Sequence, residues 1–168
     1  KNSHLIMKNI NLNPSRDGIL KALEMMGAKI ILNNNKIING EIVGDIEVYS
    51  SELNGCELDS NMARLMIDEY PILSIAASFA KSPSIFKGLS ELRVKESDRL
   101  ELIRHNLDKC GVFCEIIEDN LLIDPSKNTE LKNSLIKTDY DHRIAMAFSV
   151  MGTKLNHKLK IQDSDYIK

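Results

Sequence analysis

The stretch IRHNLDKCGV, residues 103–112, has the pattern of an amphipathic helix that ends at a glycine. A similar stretch, ILKALEMMGA at residues 19–28, precedes it by about 80 residues. Each is followed by a second, apolar helical pattern, at residues 72–80 and 144–151. Self-similarity at this period predicts duplicated subdomains. We therefore expect an α/β (α+β) fold with an internal repeat, divided at about residues 1–88 and 89–168.

Strand patterns separate these helices. The two apolar helices, behind Pro71 and behind Asp141, are expected to be buried. Ser15 is placed to cap the first amphipathic helix, and the triplet NNN at residues 33–35 predicts a turn between two short strands. Strands are expected at residues 5–10, 29–32, 36–38, 45–49, 84–86, 112–117, 121–123 and 158–161.

The composition of the 168 residues, with 43% hydrophobic and 27% charged residues, is that of a soluble globular protein. A formal net charge of -2 argues against a general nucleic-acid binder. The sequence lacks both an apolar run of about 18–20 residues, as needed to span a bilayer, and a signal-peptide core. We expect a cytoplasmic protein that binds neither nucleic acid nor membrane.

The three cysteines have no C-x-x-C spacing, so neither a disulfide framework nor a zinc site is predicted. We expect no metal ion. The chain begins with Lys1 rather than Met, and its repeat is incomplete at both ends. The sequence is therefore expected to be a piece of a longer pattern.

The densest concentration of charge is the stretch RVKESDRL, residues 93–100, at the start of the second amphipathic helix. A helix N-terminus favours anions, and Arg99 in its first turn adds a planar donor suited to carboxylate or phosphate. Glu96 and Lys95 are close enough in sequence to share such a pocket. The alternative interpretation is a solvent-exposed charged turn that is capped by Ser97.

Two further charged segments precede the apolar helices. One contains Asp141 and Arg143, and the other contains Asp68 directly before Pro71. Taken singly, each is explained as a helix cap with a surface ion pair. Taken together, three helix starts with two arginines, a lysine and several carboxylates are suited to hold a small, multiply anionic ligand and to transfer protons. The other arginines, Arg16, Arg64 and Arg104, have no comparable setting, although Arg64 stays open as a candidate because it lies near Asp68 in the sequence.

Three motifs resemble those of the 5-enolpyruvylshikimate-3-phosphate (EPSP) synthase family. RVKESDRL at residues 93–100 resembles the family signature, and DHRIAM at residues 141–146 resembles its second C-terminal motif. MIDEYPIL at residues 66–73 resembles a third motif in the form typical of the bacterial glyphosate-tolerant branch. The similarity covers nearly the whole chain, with the motifs in family order.

This resemblance implies a two-lobed enolpyruvyl transferase fold, in which each lobe is built from three βαβαββ-type subdomains. Residues 1–168 would form a single incomplete C-terminal lobe, with the N-terminal lobe absent. The implied reaction transfers the enolpyruvyl group of phosphoenolpyruvate to the 5-hydroxyl of shikimate 3-phosphate and releases phosphate, without metal or cofactor. Glyphosate would inhibit the whole enzyme.

The resemblance also implies roles for five residues. Asp68 matches the carboxylate that helps to deprotonate the attacking hydroxyl, and Glu96 matches the acid that protonates the methylene carbon of phosphoenolpyruvate. Lys95 matches a lysine on the shikimate side. Arg99 and Arg143 match the pair that binds phosphoenolpyruvate.

Several family segments have no counterpart here, among them the Lys-Ser pair, an arginine and the Ser-Ser-Gln segment of the N-terminal lobe. The isolated chain is therefore expected to be inactive. One alternative is a non-enzymatic remnant or folded fragment of that enzyme. A second is UDP-N-acetylglucosamine enolpyruvyl transferase, which does not carry the R-V-K-E-S-D-R arrangement. A third is an RNA-binding module, which the balanced charge and the lack of aromatic stacking platforms disfavour.

Overall fold

The computed structural model describes residues 2–130, 132–154 and 158–164. In this part of the chain, nine strands and five α-helices alternate in a mixed order. The strands are β1 (His4–Asn11), β2 (Lys29–Ile38), β3 (Glu41–Tyr49), β4 (Glu57–Leu58), β5 (Ser84–Phe86), β6 (Cys114–Ile117), β7 (Asn120–Ile123), β8 (Ser134–Ile136) and β9 (Leu159–Ile161). The helices are α1 (Gly18–Met25), α2 (Ser60–Met66), α3 (Tyr70–Ser78), α4 (Arg99–Lys109) and α5 (His142–Lys154).

The described strands form three sheets. The first is antiparallel with the order β1-β3-β2, and the last is the parallel pair β8-β9. The middle sheet has the order β4-β5-β7-β6, in which β4 and β5 are parallel and the other pairs are antiparallel. With α3 and α4 as its crossovers, this sheet completes a βαβαββ unit, which confirms the expected subdomain type. The middle sheet takes β4 and β5 from before residue 88 and β6 and β7 from after it. The division of the chain into two repeats at residue 88 therefore stays a prediction.

The two apolar helices α3 and α5 pack against each other in the core. In α3 the buried Ser74 donates its hydroxyl to the carbonyl oxygen of Tyr70, and the buried Ser78 donates to that of Ser74. Both hydroxyls therefore have a hydrogen-bond partner within the helix although they lie in the apolar core. The expected burial of α3 is confirmed. For α5 the expected burial is wrong at Met146 and Val150, which are 48% and 51% exposed.

The predicted turn at residues 33–35 is wrong, because β2 is continuous through it. The pairing of β2 with β3 shifts register between Asn33 and Lys36, and Asn34 has φ 55°. Asparagine tolerates this left-handed conformation, and the Asn34 side chain donates a hydrogen bond to Asp45 across the pair. The triplet therefore forms a bulge rather than a chain reversal.

The predicted cap of the first helix is also wrong. Ser15 donates its hydroxyl to the side chain of Asn13, and α1 begins only at Gly18. Gly18 approaches α2 so closely that an added Cβ would lie 2.9 Å from the Cβ atoms of Leu65 and Met66. The absence of a side chain at Gly18 thus lets the start of α1 pack closely against α2, a helix that the sequence pattern missed.

A groove of about 950 Å³ lies between α1, α3 and α5. Its lining is largely apolar and includes Ile19, Ile72, Phe79 and Val150. Of the five residues expected at a functional site, none lines it. The groove is therefore separate from the charged cluster at the N-terminal ends of α3, α4 and α5.

Candidate active site

Arg99, the first residue of α4, lies at the centre of the charged cluster and is only 1% exposed. Its Nε donates to Oδ2 of Asp141 over 2.7 Å, and its Nη1 donates to Oδ1 of Asp68 over 2.9 Å. Its Nη2 donates to Oε2 of Glu96. A buried guanidinium is tolerated only when it is paired, and here each of its three nitrogens has a carboxylate partner. The alternative of a solvent-exposed charged turn is therefore wrong for Arg99.

Asp141 is buried and uses both carboxylate oxygens. Oδ1 accepts from the backbone N–H groups of Arg143 (2.9 Å) and Ile144 (3.4 Å), which caps α5. Oδ2 accepts from Arg99 and from the hydroxyl of Ser97, 2.9 Å away. Ser97 does not cap α4, as the alternative interpretation required, because the cap is Asp98, whose side chain accepts from the backbone N–H of Glu101.

The buried pair is charged in the folded protein. Burial raises the pKa of Asp141, but the hydrogen bonds from Arg99 and Ser97 outweigh burial and leave the pKa below its usual value. Burial likewise lowers the pKa of Arg99, and the hydrogen bond and charge of Asp141 more than reverse this. The ion pair therefore persists at neutral pH.

Asp68 joins the two arginines of the cluster. Its Oδ1 accepts from Arg99, and its Oδ2 lies 3.3 Å from Nη2 of Arg143. Nη1 of Arg143 also donates to the backbone oxygen of Asp68 over 3.3 Å. Arg143 is 31% exposed in its side chain, whereas Arg99 is buried. One arginine thus anchors the cluster and the other faces outward.

Four of the five expected site residues lie together: Asp68, Glu96, Arg99 and Arg143. Lys95 is directed elsewhere, because its ammonium pairs with Glu91 one helical turn earlier. Glu96 is the most accessible carboxylate of the cluster, with a side chain that is 55% exposed. A proton donor at this place can be reached from outside.

Two contacts at the site were missed by sequence reasoning. Asp141 was assigned only a capping role, and nothing local in the sequence indicates the partner of its second oxygen. Arg16, before α1, was given no role, yet its Nη2 lies 3.9 Å from Oε1 of Glu69, next to Asp68. The position of Arg16 in the loop between Pro14 and the first helix was the only sequence feature that pointed to this contact.

The described residues contain no group of three His, Cys, Asp or Glu side chains that is suited to hold a metal ion. Burial raises the pKa of the Cys56 thiol, raises that of Cys110 to about 11 and raises that of Cys114 to about 12, which favours the protonated thiol at neutral pH.

Among the described helices, none is long and apolar enough to cross a membrane.

Comparison with known proteins gives a consistent result. The curated 3-phosphoshikimate 1-carboxyvinyltransferases of Crocosphaera subtropica and Rhizobium johnstonii are 42% and 41% identical to the chain, over 97% and 98% of it. The chain spans only 36% and 37% of their lengths. A solved EPSP synthase from Acinetobacter baumannii superposes with a TM-score of 0.93 at 31% identity, over 99% of this chain and 39% of that one.

A more distant structure is similar in fold alone. The enolpyruvyl transferase NikO from Streptomyces tendae matches 98% of this chain and 35% of its own, with a TM-score of 0.70 at 11% identity. The family model described as EPSP synthase (3-phosphoshikimate 1-carboxyvinyltransferase) matches residues 1–168. The resemblance to this family is thereby confirmed, and the chain belongs to the EPSP synthase family.

Proposed function

We propose that the chain forms part of a 3-phosphoshikimate 1-carboxyvinyltransferase. This enzyme would transfer the enolpyruvyl group of phosphoenolpyruvate to the 5-hydroxyl of shikimate 3-phosphate and release phosphate. The observation that carries the proposal is the cluster in which Asp68 contacts both Arg99 and Arg143 while Glu96 contacts Arg99. A base, an acid and two cations are thus connected within one cluster.

The cluster suits addition followed by elimination. The 5-hydroxyl oxygen would bond to the central carbon of phosphoenolpyruvate, as Asp68 accepts the hydroxyl proton and Glu96 protonates the methylene carbon. A proton would then leave the resulting methyl group while the carbon–oxygen bond to phosphate breaks. The greater exposure of Glu96 supports its role as the acid that is renewed from solvent.

The arginines supply the charge that this chemistry needs. Phosphoenolpyruvate carries a carboxylate and a phosphate, and planar guanidinium groups bind both with paired hydrogen bonds. We assign Arg99 and Arg143 to this substrate. Lys95 would bind on the shikimate side, which requires that its ammonium exchange Glu91 for the substrate.

The chain would act as an incomplete C-terminal lobe that requires an N-terminal lobe. Two observations support this: the chain spans about 37% of its curated relatives, and the largely apolar groove beside α3 and α5 offers a surface for further chain to cover. We infer that glyphosate, as an anion, would inhibit the complete enzyme through the same arginines. A cytoplasmic location is supported by the three free cysteines, Cys56, Cys110 and Cys114.

A chimera tests the proposal. In it, residues 1–168 replace the matched stretch of the Rhizobium johnstonii relative, and phosphate release is measured with both substrates present. We expect turnover by the chimera and none by the isolated chain. A folded but inactive chimera, as judged by circular dichroism, would overturn the assigned function. Turnover by the isolated chain would instead overturn the requirement for a second lobe.

A further inference from the structure

We propose that Asp141 is a positioning residue, which holds Arg99 by its Nε edge so that the opposite Nη edge can exchange Asp68 and Glu96 for an anionic ligand. The inference rests on the proposed function only for the identity of that anion. It assigns different roles to the two edges of one guanidinium.

The Nε edge is the fixed edge. Asp141 accepts four hydrogen bonds, from Arg99, Ser97 and the backbone of Arg143 and Ile144. Its side chain is 0% exposed, and Arg99 is 1% exposed. A move of Asp141 would break the cap of α5 as well as the ion pair, and would leave buried charge unpaired.

The Nη edge is the exchangeable edge. Its two partners, Asp68 and Glu96, have side chains that are 25% and 55% exposed. Glu96 precedes α4 and lies outside the helix, so it can turn away without breaking a helical hydrogen bond. Both carboxylates can regain hydration on release, whereas Asp141 cannot.

This division links ligand binding to the reacting groups. An anion that binds both Nη atoms of Arg99 replaces two carboxylates with one multiply charged group, so the charge around the buried guanidinium stays balanced. The same exchange frees Asp68 and Glu96 for the substrate. Asp141 also receives the backbone N–H of Arg143, so it fixes the start of the helix that carries the second arginine.

The positioning role is tested by hydrogen exchange of arginine Nε–H groups in the 15N-labelled chain. The signal of Arg99 is assigned by its loss in Arg99→Lys. In Asp141→Asn, which retains a capping side chain, we expect its exchange to accelerate about tenfold or more because the charge-assisted bond is weakened. The matched control is Asp98→Asn, also a helix-capping aspartate beside an arginine, which should leave Arg99 exchange within about twofold.

The Asp68→Asn/Glu96→Gln double variant tests the other edge. The exchange of Arg99 Nε–H should stay within about twofold of the unsubstituted chain, because only the Nη partners have changed. Acceleration in this variant, or none in Asp141→Asn, overturns the assignment of the edges. Where Asp141→Asn does not fold, acceleration in the double variant still overturns the assignment of the edges.

Kinetics of the chimera separate positioning from a merely structural role. Asp141→Asn should raise KM for phosphoenolpyruvate about tenfold, and leave KM for shikimate 3-phosphate within about twofold. Equal rises in both KM values would overturn the positioning role. So would a variant that loses activity only because less of it is folded, with both KM values unchanged. An inactive unsubstituted chimera would count against the proposed function, while the exchange experiment would still decide the role of Asp141.

Discussion

Oδ2 of Asp141 lies 2.7 Å from Nε of Arg99, although the two residues are 42 positions apart in the sequence. One belongs to the start of α5 and the other to the start of α4, so the contact joins two of the three charged motifs. Asp68 joins the third motif to Arg99 from the opposite edge. The candidate site is therefore a product of the fold, and no single motif forms it.

The Asp141–Arg99 pair makes stability depend on pH. The pKa of Asp141 is lowered in the folded protein, so its contribution is present above the unfolded value of about 3.9 and is lost as pH falls through the folded pKa. Asp141→Asn should cost about 3 kcal/mol at pH 7, because Arg99 loses one of three partners in a buried site. Urea unfolding of both proteins between pH 7 and pH 3 measures the difference.

The cost of Asp141→Asn should shrink below about pH 4, because the unfolded chain then takes up a proton at Asp141 that the folded chain takes up only at lower pH. A difference that stays constant down to pH 3 would contradict the charged pair. Asp98→Asn is the control, since this aspartate is 42% exposed in its side chain and asparagine also caps helices. Its cost should stay below about 1 kcal/mol at pH 7.

Anion binding can be tested at Arg143 without a substitution in the buried core, because this side chain is 31% exposed. Arg143→Gln in the chimera should raise KM for phosphoenolpyruvate by about tenfold or more, because one partly exposed cation of the proposed anion site is removed. Arg93→Gln is the matched control: Arg93 has a similar exposure, 35%, but pairs with Asp98 and Asp119 outside the cluster. Equal effects of the two substitutions on KM would reject the assignment of Arg143.

Two glycines that the sequence pattern treats alike should respond differently to alanine. Gly27 and Gly111 both have φ +88°, so alanine costs about 1–2 kcal/mol at each. A Cβ on Gly111 would also lie 2.6 Å from the carbonyl oxygen of Glu130, whereas the nearest atom to one on Gly27 is 3.7 Å away. Gly111→Ala should therefore cost about 2 kcal/mol more than Gly27→Ala. Similar unfolding free energies for the two variants would contradict this packing.

Local patterns predicted those features that depend on local interactions. The ends of the amphipathic helices at Gly27 and Gly111 follow from positive φ, which glycine adopts at little cost. The buried helix behind Pro71 follows from its apolar composition. The contact of Glu96 with Arg99 follows from their spacing of three residues around a helix start.

The features that the sequence patterns missed depend on contacts between residues that are far apart in the sequence or on packing that the sequence does not show. The sequence did not predict the burial of Arg99, which depends on carboxylates from two other helix starts. Lys95 adjoins Glu96 in sequence, yet its ammonium pairs with Glu91. The Asn bulge in β2 required a partner strand, because only β3 supplies the Asp45 that its side chain contacts. Such partners cannot be read from one segment alone.

Glu96 is the proposed proton donor for enolpyruvyl transfer, and turnover in D2O is the direct test of that role. The chimera, run with both substrates, should place deuterium in the methylene group of the product, as measured by mass spectrometry. Glu96→Gln should slow this incorporation about 100-fold or more, since the general acid is lost. Glu101→Gln, in a glutamate that pairs with Arg104 outside the cluster, should not change the incorporation rate. Incorporation by the Glu96→Gln chimera at the unsubstituted rate would show that Glu96 is not the proton donor.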